Sequence, residues 1–193
     1  MARPREFDPQ EALQKAVQMF WEKGYNATSV DEVVRRTGVA KYGIYGTFGT
    51  KHELFMKVLE QYAGDRHKDI QRPLRQPDAA LPEIRAFFKA VPKLITDKAY
   101  PGGCLVANTG VELGQQDPEI SGFVKAFFRD TTSVMKGCLE RAVERGELDE
   151  KTDVSTLATY LVTEFRTALM LARSGHSRRD IERHFGVALR VLS

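Results

Sequence analysis

Helix start and stop signals recur along the whole chain, and no other feature constrains its fold as strongly. Asp8-Pro9 and Asp117-Pro118 each place a capping side chain before a proline at the first position of a helix. Ser29 and Thr50 are each followed by a glutamate three residues later, which is the capping-box spacing. Because no stretch alternates polar and apolar residues as a half-buried strand does, the chain is predicted to be all-α, with about nine helices.

The apolar residues between these signals recur at helical spacing and set the predicted bounds. The predicted helices cover 9–23, 29–37, 40–47, 50–70, 82–98, 104–113, 118–145, 153–173 and the residues after 177. Pro73 and Pro77 stand among polar residues and predict a connector over 71–81. We therefore expect a small head of three to four helices, residues 6–66, and a larger helical body, residues 67–193.

Composition and charge exclude several classes of protein. The formal net charge of +3 and the charged fraction of 28% are close to those of an average soluble globular chain. The two cysteines, Cys104 and Cys138, are too few for a secreted disulfide scaffold, and no apolar run approaches the roughly 20 residues that cross a bilayer. Because the start lacks the apolar core of a signal peptide, a cytoplasmic location is expected. No histidines and cysteines stand at metal-ligand spacing, so no metal or other cofactor is expected.

Residues 29–48 have the order that a helix-turn-helix motif requires, with a glycine-containing turn between two helices. Val33, Val39 and Ile44 are spaced to bury against Phe20 of the first helix. The side chains that remain to face outward are Lys41, Tyr42, Tyr45 and Thr47. The second helix of the motif is therefore predicted to present a face that is suited to a DNA groove.

The local charge supports a nucleic-acid interface at this motif. Four basic residues and no acidic one lie between Val33 and His52, whereas the remainder of the chain carries a net charge of −1. The four are Arg35, Arg36, Lys41 and Lys51. A basic face on an otherwise balanced chain is typical of phosphate contact, and a solvated helical face is the alternative. The turn, the buried stripe and the basic face together favour DNA binding.

The head resembles the DNA-binding head of TetR-type transcriptional regulators over about residues 6–66. The residues that carry the resemblance are Phe20, Gly24-Tyr25-Asn26-Ala27-Thr28-Ser29-Val30, Val33, Gly38-Val39-Ala40-Lys41, Ile44-Tyr45 and Phe48-Gly49-Thr50-Lys51-His52-Glu53-Leu54-Phe55. The resemblance implies an all-helical homodimeric repressor, whose two recognition helices enter successive major grooves of a palindromic double-stranded operator. The leading hypothesis is that a small-molecule effector in the body changes the separation of these helices and releases the DNA.

The resemblance also implies which residues contact DNA. The implied set is Thr28, Ser29, Lys41, Tyr42, Tyr45, Gly46, Thr47 and Lys51. Of these, Thr28, Tyr45 and Lys51 fall on positions that usually hold phosphates in such proteins. The others on the recognition helix fall on its outward face, where base edges are contacted.

The recognition helix departs from the family pattern in three respects. Ala40 replaces the usual serine, so the helix lacks a capping side chain, and Tyr42 is bulky where a small residue is common. Gly43 and Gly46 add flexibility, so the helix is expected to become firm on DNA. Ahead of the first helix, a basic pair is a candidate for a minor-groove arm, with a disordered terminus as the alternative. The pair is Arg3 and Arg5.

Two apolar stripes near the end of the chain are candidates for a dimer interface, with ordinary core as the alternative. The predicted interface residues are Leu157, Leu161, Phe165, Leu169, Ile181, Phe185 and Leu189.

In the middle of the body, polar residues interrupt an aromatic set, a pattern typical of a small-molecule pocket. The predicted effector-binding residues are Tyr62, Phe88, Cys104, Asn108, Glu112, Phe127, Tyr160 and Glu164. An apolar or aromatic effector with one polar handle is expected, and ordinary core is again the alternative.

Two other functions remain open from the sequence. Cys104 follows Pro-Gly-Gly at a predicted helix start, where the helix dipole favours thiolate, so the same head could be controlled by an electrophile or oxidant at this residue. The remote alternative is a helical enzyme, for which no catalytic arrangement of residues is visible. The chain is therefore predicted not to be an enzyme.

Overall fold

The computed structural model of the chain describes residues 7–97 and 102–192, with the backbone alone for 66–69. Over these residues the chain forms nine α-helices, one closing 3-10 turn and no β-strand, which confirms the all-α prediction. The helices are α1 (Pro9–Lys23), α2 (Val30–Thr37), α3 (Lys41–Phe48), α4 (Lys51–Ile70), α5 (Leu81–Ile95), α6 (Leu105–Leu113), α7 (Pro118–Glu144), α8 (Val154–Arg173) and α9 (Arg178–Ala188). The candidate arm residues, Arg3 and Arg5, lie outside the described residues.

The capping residues identified in the sequence set the helix ends. Asp8 accepts a hydrogen bond from the backbone N–H of Gln10 at 2.8 Å, and Asp117 accepts one from that of Ile120 at 3.1 Å. Gly24 follows α1 with a φ of 86°, a left-handed conformation that glycine adopts without steric cost. Because a cap involves only residues a few positions apart, the predicted bounds agree with the observed ones to within a few residues.

The chain divides into two compact units, Met1–Asp65 and Arg66–Ser193. Helix α4 starts in the first unit and ends in the second. Among the described helices, none combines the length and the apolarity that a membrane span needs.

Aromatic packing forms the core of the first unit. Phe20 is fully buried, and its ring centroid lies 4.9 Å from that of Phe55 at a tilted angle. Trp21 of α1 meets Tyr62 of α4 edge to face, with ring centroids 5.0 Å apart. Such pairs add about 0.5–1.5 kcal/mol beyond the burial of their area. The core therefore ties α1 firmly to α4.

The second unit buries the apolar faces of α5, α8 and α9 against one another. The Phe87 and Phe165 ring centroids are 5.2 Å apart, and those of Phe88 and Phe185 are 4.8 Å apart. These contacts bury most of the residues that the sequence placed at a dimer interface. Five of its seven residues have almost no surface left for a second protomer, because the protomer's own core covers them. The five are Leu161, Phe165, Leu169, Ile181 and Phe185.

Polar contacts attach the connector between α4 and α5 to α7. The buried Gln71 amide donates to the Thr131 hydroxyl at 2.8 Å, and the Cys138 thiol donates to the Leu74 carbonyl at 3.2 Å. Burial raises the pKa of the Cys138 thiol, so this cysteine stays protonated and unreactive. The connector is therefore an ordered part of the body.

Candidate nucleic-acid interface

A capping box fixes the start of α2. The backbone N–H of Glu32 donates to the Ser29 hydroxyl at 3.2 Å, and the backbone N–H of Ser29 donates to the Glu32 carboxylate at 2.9 Å. A hydrogen bond from Lys23 at 2.6 Å lowers the pKa of Glu32 to about 2. Gly38 then ends α2 in the left-handed conformation, with a φ of 75°. Ser29 is exposed, but its hydroxyl holds the motif together.

The Thr28 side chain, at a position that the resemblance assigns to phosphate contact, faces the interior of the first unit. Thr28 is fully buried, and its hydroxyl donates to the Gly24 carbonyl at 2.7 Å. A side chain with no exposed surface cannot touch a phosphate oxygen. The Thr28 hydroxyl instead closes the turn between α1 and α2.

Helix α3 is anchored by its apolar side and exposes its aromatic side. The predicted burial of Val33, Val39 and Ile44 is confirmed, with exposed fractions of 1%, 7% and 1%. Tyr42 and Tyr45 point outward, with exposed fractions of 72% and 44%. Ala40 provides no side-chain hydrogen bond at the start of the helix, as its residue type predicted. The helix is therefore positioned by its buried side and leaves both tyrosines available to a ligand.

The two glycines of α3 have different surroundings. A Cβ at Gly43 would lie 3.1 Å from Val39 Cγ1 and 3.3 Å from Phe7 Cε1, so Gly43 permits close packing. A Cβ at Gly46 would meet nothing within 4 Å. Gly43 therefore serves the fold rather than flexibility, whereas Gly46 leaves open space on the outward face beside Tyr42 and Tyr45.

Replacing Gly46 with alanine is expected to raise the free energy of unfolding by up to about 1 kcal/mol, because alanine favours the helix and meets no neighbour. The same change is expected to weaken operator binding, since the added methyl group enters the space that a duplex would fill. Urea unfolding and a gel-shift titration measure the two effects. Gly43→Ala is the control and should lower stability through its contact with Val39. Unchanged DNA affinity in Gly46→Ala would show that this face lies away from the duplex.

Lys41, at the start of α3, already has an acidic partner. Its ammonium lies 2.9 Å from Asp31 Oδ1 of α2, and this hydrogen bond raises the pKa of Lys41. Asp31 lies two residues before the acid-free stretch that starts at Val33, so the sequence window overstated the local positive charge. Arg35 and Arg36 are exposed and, within the described residues, pair with no carboxylate. They are the stronger sources of positive potential in the motif.

Replacing Asp31 with asparagine is expected to raise DNA affinity about fivefold at low salt and less at high salt, because it frees Lys41 and removes a negative charge near the phosphates. Gel shifts over a salt series measure the effect. Glu11→Gln, which breaks a similar surface pair with Lys15 at 2.7 Å on α1, is the matched control and should change little. A decrease in affinity for Asp31→Asn would mean that the ion pair positions Lys41 for binding.

Lys51, at the first position of α4, lies over an aromatic ring. Its Nζ is 4.2 Å from the centroid of Tyr25, which in turn packs on Phe55 with centroids 4.9 Å apart. A cation held against an aromatic face loses little further freedom when it meets a phosphate. The packing of the first unit therefore places the Lys51 charge beside the motif.

One backbone donor at the start of α4 is already occupied. The N–H of Thr50 donates to Glu53 Oε2 at 2.7 Å, and the Thr50 hydroxyl accepts from the Glu53 N–H at 3.2 Å. The hydrogen bonds that the Thr50 backbone N–H and the Thr50 side chain make with the Glu53 carboxylate lower the pKa of Glu53, so the cap carries a negative charge. The phosphate contact expected at this helix start therefore depends on Lys51 rather than on the Thr50 N–H.

Comparison with known proteins identifies the chain. The family model for bacterial regulatory proteins of the tetR family matches residues 12–58, and the model for the tetracyclin repressor-like C-terminal domain matches residues 80–186, more than half of the chain. The chain belongs to the TetR family. It is thus a DNA-binding transcriptional regulator and not an enzyme, and the helix-turn-helix described above is the DNA-binding part of this TetR-family protein.

Relatives of this TetR-family chain match along nearly its whole length. The uncharacterized HTH-type transcriptional regulator YezE of Bacillus subtilis is 28% identical and is covered over 100% of both chains. The HTH-type transcriptional repressor ComR of Escherichia coli is 29% identical, over 98% of this chain and 90% of the relative. A cysteine mutant of the TetR family regulator CifR, solved with a 26-base-pair double-strand operator DNA, is 25% identical with a TM-score of 0.88, over 97% and 98% of the two chains.

The predicted effector-binding residues lie on several elements of this TetR-family chain. Tyr62 belongs to the core of the first unit, where it packs on Trp21, and Phe88 is buried between Phe87 and Phe185. Tyr160 and Glu164 line an open depression of about 500 Å³ between α8 and α9. Of the four other predicted residues, Cys104 directly precedes α6, Asn108 and Glu112 lie on α6, and Phe127 lies on α7.

Cys104 precedes α6 and is only 6% exposed. The glycine before it, Gly103, has a φ of 69°, and a Cβ there would lie 2.9 Å from the Leu169 carbonyl oxygen. This loop therefore packs closely against α8. An electrophile would reach the Cys104 thiol only if the residues that bury it moved away. The thiol-switch alternative is not favoured.

Proposed function

We propose that this chain acts in the cytoplasm as a homodimeric repressor, which binds a palindromic operator and is released by a small-molecule effector in its second unit. The observation that carries the proposal is the outward face of α3. There, Tyr42, Tyr45 and Gly46 surround an open surface on a helix whose other side is fixed by Ile44. Several relatives are named transcriptional repressors, which supports repression rather than activation.

The recognition helix is proposed to read the operator through residues of different chemistry. Lys51 and Tyr45 would contact phosphates, which sets the affinity and its salt dependence but discriminates little between sequences. Tyr42, with its 72% exposed side chain, would supply an apolar contact to a base or sugar. Lys41 and Thr47 complete the proposed contact surface.

The dimer is proposed to form through the outward faces of α8 and α9. Tyr160 of α8, Val187 of α9 and Val191 of the 3-10 turn that follows α9 are 36%, 60% and 50% exposed. The depression between α8 and α9 has apolar walls at Tyr160 and Val187, and its polar lining includes the pair formed by Glu164 and His184 at 2.8 Å. An apolar surface of this kind is buried in a stable dimer.

Release of DNA requires only modest coupling between the units. A coupling free energy of about 1–3 kcal/mol between effector and operator shifts the affinity by about 5- to 150-fold. Helix α4 continues from the first unit into the second and is the proposed lever. A change in the separation of the two recognition helices from about 34–36 Å would prevent simultaneous entry into successive major grooves.

Selection of bound sequences from a random pool of duplex DNA tests this function. The expected result is a palindrome whose half-sites are about 10 base pairs apart from centre to centre. The affinity for this sequence should fall steeply with salt, and Lys51→Ala should reduce the slope by about one phosphate contact. Recovery of no preferred sequence, or of a single asymmetric half-site, would overturn the proposed dimeric repressor.

A further inference from the structure

A cavity of about 320 Å³ lies between α6, α7 and α8, and none of the effector-binding residues expected from the sequence lines it. We propose that this cavity binds a small organic anion with an apolar tail, and that this anion is the effector. The effector role rests on the proposed function, whereas the binding itself does not. The volume of the cavity falls at the lower end of the range of roughly 300–1,000 Å³ that is usual for small-molecule sites.

The walls of the cavity are largely apolar. Val111, Val124, Phe128 and Met170 line it, and Val111 and Met170 are exposed by 78% and 58%. Exposed apolar side chains around a concave surface are unfavourable unless a ligand or another protein covers them. An apolar ligand body of the size of one aromatic ring would bury them.

The charged residues of the cavity indicate which polar group the ligand carries. Lys125 of α7 and Arg166 of α8 both line the cavity, and no Asp or Glu does. Within the described residues, neither of the two cations forms an ion pair with a carboxylate. Two cations without a counter-charge beside an apolar wall favour an anionic group, and Gln115 adds a further hydrogen-bond donor.

The Arg166 guanidinium is already placed at the wall. It lies 4.4 Å from the centroid of the Phe128 ring, which restricts it while leaving its N–H donors free of any acidic partner in the described residues. A guanidinium stacked on an aromatic ring presents its planar fork to a carboxylate and forms two parallel hydrogen bonds. The geometry therefore favours a carboxylate over a neutral amide of the same shape.

The backbone of α6 makes the cavity a formed feature rather than a loose gap. A Cβ at Gly110 would lie 3.0 Å from Val124 Cγ1, so α6 approaches α7 closely where the two helices line the cavity. Gly110 and Gly114 both belong to the lining of the cavity. Arg166 belongs to α8, the helix that also carries Tyr160 of the proposed dimer surface.

Titration calorimetry with the full chain tests the binding. The probes are 4-phenylbutyrate, benzoate and octanoate, each compared with its uncharged amide. We expect saturable binding of at least one carboxylate, with an affinity about tenfold or more above that of the matching amide. Absence of saturable binding by all three carboxylates, or equal binding of acid and amide, would overturn the proposal.

Three variants locate the site. Lys125→Gln and Arg166→Gln should each weaken carboxylate binding about tenfold and leave amide binding unchanged. Arg129→Gln is the matched control, because Arg129 is exposed one turn after Lys125 on α7 and does not line the cavity. Circular dichroism confirms folding, and Lys125→Gln keeps the test valid if Arg166→Gln is unstable. Equal weakening in all three variants would show non-specific attraction and contradict the site.

The effector role has a separate test on the selected operator. The bound carboxylate should lower operator affinity in the unmodified chain by fivefold or more, and Lys125→Gln should raise the ligand concentration that this response requires by about tenfold. Binding without any effect on the operator would refute the effector role. Failure to select any operator would instead refute the proposed function, since that selection contains no ligand.

Discussion

An aspartate in place of Val187 is expected to separate the two protomers and to lower operator affinity by about 100-fold or more. Val187 is 60% exposed on α9, so the change removes no core contact and the protomer should stay folded. In the proposed dimer, however, a carboxylate at this position would be buried against an apolar surface without a partner. A single protomer then binds only one half-site and loses the advantage of two linked contacts.

Light scattering coupled to gel filtration measures the oligomeric state, and gel shifts on the selected operator measure affinity. Val111→Asp is the matched control, because Val111 is a valine on α6 that is 78% exposed and lies outside the proposed dimer surface. We expect Val111→Asp to remain dimeric and to bind DNA normally. If Val187→Asp stays dimeric and Val111→Asp becomes monomeric, the proposed interface is wrong and the dimer forms through α6.

Phe20→Ala is expected to lower the free energy of unfolding of the first unit by about 3–5 kcal/mol. The Phe20 side chain is fully buried, and it packs on Phe55 and Tyr25. The cavity left by its removal loosens the Tyr25 ring, over which the Lys51 ammonium lies. Operator binding should therefore be lost at temperatures where the second unit is still folded.

Urea unfolding followed by near-ultraviolet circular dichroism should show an early transition for the first unit and an unchanged one for the second. Tyr42→Ala is the matched control, since it removes an aromatic ring of similar size from the surface of the same unit. Its stability should stay within about 0.5 kcal/mol of the unmodified chain, while its sequence preference changes. An equal loss of stability in both variants would contradict the assignment of Tyr42 to the outward face.

The helices of this chain were predictable because their signals are local. Asp8, Ser29, Thr50 and Asp117 each bond to backbone groups two or three residues away, so the sequence contains both partners. The order of helix, turn and helix over 29–48 has the same origin. The family resemblance then followed from residues within one short stretch.

The electrostatics of the interface were less predictable, because they depend on distances across the fold. A window that starts at Val33 contains no acid, yet Asp31 lies 2.9 Å from Lys41 once α2 and α3 pack together. Thr28 matches a phosphate-binding position in type, but its hydroxyl is turned inward to the Gly24 carbonyl. Neither relation is visible without the positions of both partners.

Sequence alone determined that the described part of the chain is helical and where its helices begin and end, because these follow from interactions within about four residues. The family resemblance indicated which stretch forms the DNA-binding motif. Only the tertiary structure decided which side of each amphipathic helix is core. Leu161, Phe165 and Ile181 have the pattern of an interface, but they are buried where α5, α8 and α9 pack together. Val187 and Tyr160 remain exposed. An apolar stripe in the sequence shows that one face of a helix is buried. Which segment covers that face depends on the packing of residues that are distant in the sequence.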